Sequence, residues 1–258
     1  MKPSASQTWL EVAPEWILGL PEWLEDLCYD VYKCFIFDNR YEMYIEGLGN
    51  TLLLTFLALL LGVALGVVVA VVRTMHDQQR PGVKNPILGF FNALCQVYTT
   101  VIRGTPMMVQ LLILGFVVFA NSRNFTMVGV FGLGLNSGAY VAEIVRGGLM
   151  GVDIGQREAG RSLGLNYFDT MRFIIIPQAF KNILPSLGNE FITLFKDTAL
   201  ISVIGGKELV YAAKAVGSKT YSVMFPYIGI AIVYLLLVML FTYLQGKLER
   251  RLRESDRR

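Results

Sequence analysis

Arg103 and Glu143 are ionisable residues set inside long apolar stretches of this chain. Charge in such surroundings is costly and normally faces a cavity or a partner. The chemistry on offer is binding rather than bond-making. A guanidinium suits a carboxylate through paired hydrogen bonds, and a carboxylate suits an ammonium. Thr105, Gln110 and Asn136 add neutral hydrogen-bonding groups in the same two stretches. An intramolecular alternative stands beside this: Glu143 and Arg146 are three apart and can pair along one helix face, with Arg103 bridging Glu143 structurally. A second polar group, Asn189, Glu190, Lys196 and Asp197, interrupts a later apolar run. Lys196 and Asp197 are adjacent and so point to different sides of a helix. A gate, a subunit contact or a structural ion pair with a neighbouring helix all fit them.

Other chemistries find little support. His76 is the sole histidine and sits beside Asp77 in a polar loop. The three cysteines (Cys28, Cys34, Cys95) form no CxxC pattern, and free thiols fit them better than a Cys28–Cys34 bridge. No metal site is expected from that inventory. No nucleophile stands next to a base, and no carboxylate pair lies inside the apolar runs, so a membrane enzyme or sensor is disfavoured.

The elements that must position these residues are membrane helices. Of 258 residues, 54% are hydrophobic and 17% charged, and the mean hydropathy is +0.50. Several continuous apolar runs approach or exceed the roughly 20 residues that cross a bilayer as a helix, and they do not alternate as barrel strands would. We expect an all-α polytopic bundle of about five spans, near 48–72, 86–120, 127–149, 184–204 and 224–244, the second kinked near Pro106. Residues 47–246 form that domain. Gly62 and Gly66 make a GxxxG in the first span, a pattern that permits close helix contact. Residues 1–46 carry nine acidic against three basic side chains, with Trp9, Trp16 and Trp23 every seven residues; one or two short amphipathic helices at an interface are expected. No cleavable signal peptide is expected, since a basic start with a continuous apolar core is not visible.

Charge asymmetry orients the spans. Arg73, Arg80 and Lys84, then Arg157, Arg161, Arg172 and Lys181, then the basic tail 247–258 with Lys247, Arg250, Arg251, Arg253, Arg257 and Arg258 all fall on one side of a five-span arrangement. That side is cytoplasmic, which puts the N-terminus out and the C-terminus in. Lys207, Lys214 and Lys219 fall outside and count against it.

Residues 158–177, EAGRSLGLNYFDTMRFIIIP, predict two short helices and a turn. Glu158 to Leu163 forms the first, with Gly164 in the left-handed conformation. Asn166 caps the second, with Asp169 completing the box. Phe168, Met171 and Ile175 are expected on its exposed face, and Pro177 interrupts it. A capped, partly apolar element suits insertion into a partner's groove.

This stretch resembles the EAA loop of ATP-binding-cassette importer permeases: Glu158-Ala159-Gly160, three residues, Gly164, nine residues, Ile174, one residue, Ile176-Pro177. Gly160 stands for the usual third Ala and Ile176 for Leu. The resemblance extends over 46–244. It is closest to the polar amino-acid branch (histidine, glutamine, glutamate, arginine, cystine) through Gly49-Asn50-Thr51, Arg103-Gly104-Thr105-Pro106, SGAYVAEIVRG at 137–147 and GNEFITLFKDTALIS at 188–202.

The resemblance implies a type I importer fold in the bacterial inner membrane, with the cytoplasmic loop 155–181 coupling to an ATPase through Glu158, Ala159, Gly160, Gly164, Ile174, Ile176 and Pro177. ATP and Mg would reside on that partner, since no Walker A pattern occurs here. Further implied partners are a second, identical or similar permease chain, an extracytoplasmic solute-binding protein, membrane lipid and an amino acid, but no nucleic acid; Arg103, Glu143, Thr105, Gln110 and Asn136 are the residues whose own chemistry suits holding that amino acid. The alternative is the same fold carrying another small solute.

Overall fold

A computed structural model describes residues 5–79 and 85–255, excluding the side chains of Glu15, Trp16 and 253–255. Arg80, Lys84 and the expected Pro81-Gly82 turn lie outside the described residues, as do Arg257 and Arg258. The described residues are helical, without strands.

Three short helices open the chain: α1 (Ala5–Val12), α2 (Glu15–Leu18) and α3 (Glu22–Val31). A π turn (Tyr32–Ile36) and a 3-10 turn (Phe37–Asn39) lead into α4 (Tyr41–Asp77). The bundle continues with α5 (Pro86–Gly104), α6 (Met107–Ile113, extended by a π turn to Val118) and α7 (Phe125–Met150). The loop helices α8 (Ile154–Ser162) and α9 (Tyr167–Thr170) follow. A π turn (Met171–Ile175) runs into α10 (Ile176–Asp197), which ends in a 3-10 segment, Thr198–Ile204. The chain closes with α11 (Leu209–Thr220) and α12 (Met224–Ser255).

Among the described residues, α4, α7 and α12 are each long and apolar enough to cross a membrane. The α5–α6 pair makes a fourth only if taken as one span, and it bends by 106°. The expected kink near Pro106 is thus a corner. The expected fourth span, 184–204, belongs to α10 and its 3-10 extension; Lys181, Glu190, Lys196 and Asp197 keep it more polar than the other three. Helix α11 falls in a stretch expected to be a loop, because its twelve residues are too short and mixed to show as a span.

The core is the α4–α7 seam. A Cβ on Gly62 would lie 2.7 Å from Ser137 Oγ, and one on Gly66 2.7 Å from Val141 Cβ. The two glycines therefore set the contact distance, as small residues do where lipid supplies no hydrophobic drive between helices. One buried cluster (Leu54, Ala58, Leu111, Leu133, Leu194, Ile201) joins α4, α6, α7 and α10. Another (Ala70, Val141, Val145, Ile175, Ala179, Ile183) reaches from the seam to the root of the loop. A third (Leu209, Ala213, Ile230) fixes α11 to α12.

The bundle has two distinct ends. Tyr167 Oη donates to Gln78 Oε1 (2.5 Å), and Gln245 Nε2 donates to the Pro185 carbonyl (3.1 Å). The end of α4, the α8–α9 loop, the start of α10 and the end of α12 thus share one end. At the other, Lys207 N donates to Thr126 Oγ1 (3.0 Å) and Leu209 N to Thr51 Oγ1 (3.1 Å). There α11 meets the starts of α4 and α12.

Candidate functional site

Two constellations emerge, one in the bundle and one on the loop.

The first begins at the corner. Pro106 has no N–H and pushes the residue before it to extended backbone; Thr105 has φ −119° and ψ 144°. Helix α5 therefore stops at Gly104 and α6 restarts after Pro106. Gln110 ties the corner together. Its Nε2 donates to the Ile102 carbonyl and to Thr105 Oγ1, each at 2.7 Å, and its Oε1 accepts from Asn136 Nδ2 at 3.1 Å. The three neutral residues singled out in the sequence are therefore brought together by their own hydrogen bonds.

Beside the corner, α7 and α10 flank a cavity of about 440 Å³. Thr105, Asn136 and Tyr140 line one wall and Asn189, Glu190 and Asp197 the other. A second hollow of about 460 Å³ shares Tyr140, Asn189 and Glu190 and continues to Gln245 and Glu249. Together they trace a polar track past α10. Glu190 is 9% exposed and accepts from Ser137 Oγ at 2.8 Å. Lys196 is exposed on the other side of α10, as adjacency to Asp197 dictates. Glu190 and Asp197 stand more than fifty residues from Asn136 and Thr105 in the chain; the fold places the four around one space.

Arg103 and Glu143 do not line that cavity. Glu143 accepts from Arg73, meets Arg146 Nε at 3.4 Å and lies 3.9 Å from Arg103. Arg146 also reaches Asp77 at 3.5 Å. This network joins α4, α5 and α7, and Glu143 already has cations on both oxygens. The Arg103 guanidinium lies 5.3 Å from the ring of Tyr140, which does line the cavity, and its side chain is 44% exposed. Arg73 was not singled out in the sequence, because it ends the first span among the other basic residues.

The second constellation is the loop. Asp153 caps α8 by accepting from Gly155 N (2.6 Å), so the helix starts four residues before Glu158, earlier than expected. Gly164 has φ +78°, which strains any other residue. Leu165 N bonds back to the Gly160 carbonyl at 3.0 Å, and Asn166 Oδ1 accepts from Asp169 N at 2.9 Å. Gly160 is buried: a Cβ there would lie 2.8 Å from Thr170 Cγ2 and 3.2 Å from Ile174 Cδ1. The Gly in place of the usual Ala is what lets α8 lie on α9.

Two expectations for this loop are corrected. Pro177 does not interrupt the second helix; the chain passes through the π turn, where Ile176 N reaches the Met171 carbonyl five residues back, and continues as α10. The extra residue rotates the face. Ile175 is therefore fully buried, while Leu163 (77% exposed), Phe168 (67%) and Phe173 (63%) are among the apolar side chains the loop turns outward. Glu158, Ala159, Ile176 and Pro177 are also exposed, and Ile174 is half-buried.

Residues 86–254 match the family of binding-protein-dependent transport system inner membrane components. This chain belongs to that family. The permease is 38% identical over 211 residues to the putative glutamine transport system permease protein of Rickettsia typhi, covering 81% of this chain and 92% of that one. It is 35% identical over 215 residues to the arginine transport system permease protein of Bacillus subtilis (82% and 93%). A crystal structure of an amino acid ABC transporter with histidines superposes with a TM-score of 0.73 and 42% identity, covering 82% of the permease and 94% of that chain. The permease is thus a membrane subunit of an ABC importer, located in the inner membrane, and the ATPase is a separate chain.

Proposed function

We propose that the permease carries a polar or charged amino acid through the track beside α10, and that its α8–α9 loop receives the ATPase. The observation that carries this reading is the cavity at the corner, whose walls pair acidic Glu190 and Asp197 with neutral Thr105, Asn136 and Asn189. A zwitterion needs an acceptor for its ammonium and a donor for its carboxylate. Glu190 and Asp197 suit the ammonium, and Arg103, half-exposed against Tyr140, suits the carboxylate. Glu143 then holds Arg103 in place. Gln110 shapes the corner, and Lys196, exposed on the far side of α10, suits a contact with a second permease chain. Relatives named for glutamine and arginine transport support an amino-acid cargo.

The loop's apolar surface (Leu163, Phe168, Phe173) inserts into a groove of one subunit of an ATP-binding dimer, with Glu158, Ala159, Gly160, Gly164, Ile174, Ile176 and Pro177 giving the loop its shape. ATP and Mg are held there. The loop end is cytoplasmic, leaving α11 and the N-terminal segment outside, where a solute-binding protein delivers cargo. A second permease chain, identical or similar, completes the route, and lipid surrounds the pair.

The test is ATPase stimulation of the reconstituted complex by a panel of amino acids, with Arg103→Lys and Glu190→Gln beside the wild type. We expect one polar amino acid to stimulate, and Glu190→Gln to abolish that stimulation while basal hydrolysis persists. Stimulation by a sugar or an inorganic anion alone would overturn the amino-acid reading.

A further inference from the structure

The family match starts at residue 86, and the N-terminal helices α1–α3 stand apart from it. They are nevertheless seated on the bundle. Cys34 is fully buried and donates from Sγ to Thr220 Oγ1 at 3.9 Å. Phe35 stacks on Tyr44 (5.1 Å between centroids) and packs on Gly229, where a Cβ would clash with its ring. Trp9 is buried against Tyr29 and Tyr32, with centroids at 6.0 and 5.3 Å.

The three sides of α3 differ. At about 100° per residue, Tyr29 turns toward Trp9. Glu22, Asp26 and Asp30 occupy the next side. Trp23, Leu27 and Val31 form a third, 67%, 44% and 38% exposed. Nothing among the described residues covers this third side. The depth of the segment says what does. Phe35 seats five residues into α12, about 7.5 Å along a helix that crosses the membrane. Exposed apolar side chains also follow at Ile36 and Ile45 and at Leu53, Phe56 and Leu60 on the side of α4 turned away from the α4–α7 seam.

We propose that residues 5–36 form an interfacial collar: α3 lies on the bilayer surface at the α11 end, its Trp23–Leu27–Val31 side in the acyl-headgroup boundary and its acidic side in water. The occupant of the stripe is lipid. Acidic Glu22, Asp26 and Asp30 exclude recognition of anionic headgroups, so binding is by apolar burial and by aromatic rings at headgroup depth. Through Cys34 and Phe35 the collar also holds α11 and the start of α12. The proposal needs only that α4 and α12 cross a bilayer, and so stands apart from the amino-acid reading.

The chain has three tryptophans, so Trp9→Phe with Trp16→Phe leaves Trp23 as the sole indole of the full-length permease. This variant is reconstituted into phosphatidylcholine–phosphatidylethanolamine vesicles carrying bromines near the headgroup or near the acyl terminus. We expect blue-shifted emission, weak quenching by aqueous acrylamide, and about twofold stronger quenching by the shallow bromines than the deep ones, as a depth of about 5–10 Å requires. Replacing part of the lipid with phosphatidylglycerol should change nothing. Should the double variant misfold, the single Trp23→Phe must remove the lipid-quenched component of wild-type emission. Strong acrylamide quenching overturns the proposal by placing Trp23 in water. Shielding from both quenchers overturns it by placing a protein, such as a second copy, on the stripe.

Discussion

The α8–α9 loop and the bundle cavity are built by opposite means. The loop is assembled from neighbours: Asp153, Gly164 and Asn166 each act on backbone within a few residues, and Gly160 lets two short helices touch. The cavity is assembled from strangers, because Thr105 at the corner, Asn136 on α7 and Glu190 on α10 are far apart in the sequence and meet only through the α7–α10 packing and the corner at Pro106. The loop presents apolar side chains outward, and the cavity presents polar ones inward. A site that engages another protein can be local and rigid. A site that must pass a solute has to lie between elements that move.

The contrast can be broken in order of effect. Gly160→Val places methyl groups where Thr170 Cγ2 already stands 2.8 Å from a Cβ, at about 3 kcal/mol of overpacking. We expect the ATPase subunit to be lost on co-purification, whereas Glu190→Gln keeps it. If both variants retain the ATPase equally, loop and cavity are not separable.

Next comes Glu208, 1% exposed and capping α11. Burial raises its pKa from 4.5 to about 7, against the opposing pull of the Val210 and Tyr211 N–H groups. The folded carboxyl takes up its proton before the unfolded one does. Its contribution is therefore full below about pH 4.5 and is lost as pH rises through about 7, amounting to about 3 kcal/mol between the limits. Thermal unfolding at pH 5 and pH 8 should show wild type losing stability relative to Glu208→Gln. Parallel behaviour of the two would sink the assignment.

A third change is Arg73→Ala. It removes a cation from Glu143 at a site with side chains 14% and 26% exposed, for about 2 kcal/mol after allowing for solvent. Unfolding in detergent measures it, and we expect co-purification of the ATPase to be unchanged. The smallest effect is Phe168→Ser. Fold stability should stay within about 0.5 kcal/mol, as for other exposed positions, while affinity for the ATPase subunit, measured by titration, falls about tenfold. Undiminished affinity would remove Phe168 from the docking surface.

These two regions also explain what the sequence reveals. Gly164, Asn166 and Asp169 were legible because caps and left-handed turns are written in consecutive residues. The spans were legible from apolar length. Helical periodicity puts Ile175 on the exposed face, but a π turn, invisible in composition, adds one residue and rotates that face. Glu143 read equally as a ligand and as an ion-pair partner. Only the fold brings Arg73, seventy residues away, onto its carboxylate. Helix α11 does not stand out in the sequence because its burial depends on α4 and α12, not on its own pattern.

The glycine seam has a mechanical consequence. With Gly62 against Ser137 and Gly66 against Val141, α4 and α7 have no slack to slide and must swing as one beam. Ile175 shares a buried cluster with Ala70 and Val141, so the loop is clamped to that beam rather than hinged on it. Asn136 sits fourteen residues from Met150, about 21 Å up the beam at 1.5 Å per residue. A tilt of about 5° at the loop therefore displaces Asn136 by about 2 Å, enough to part or close a hydrogen bond at the cavity wall.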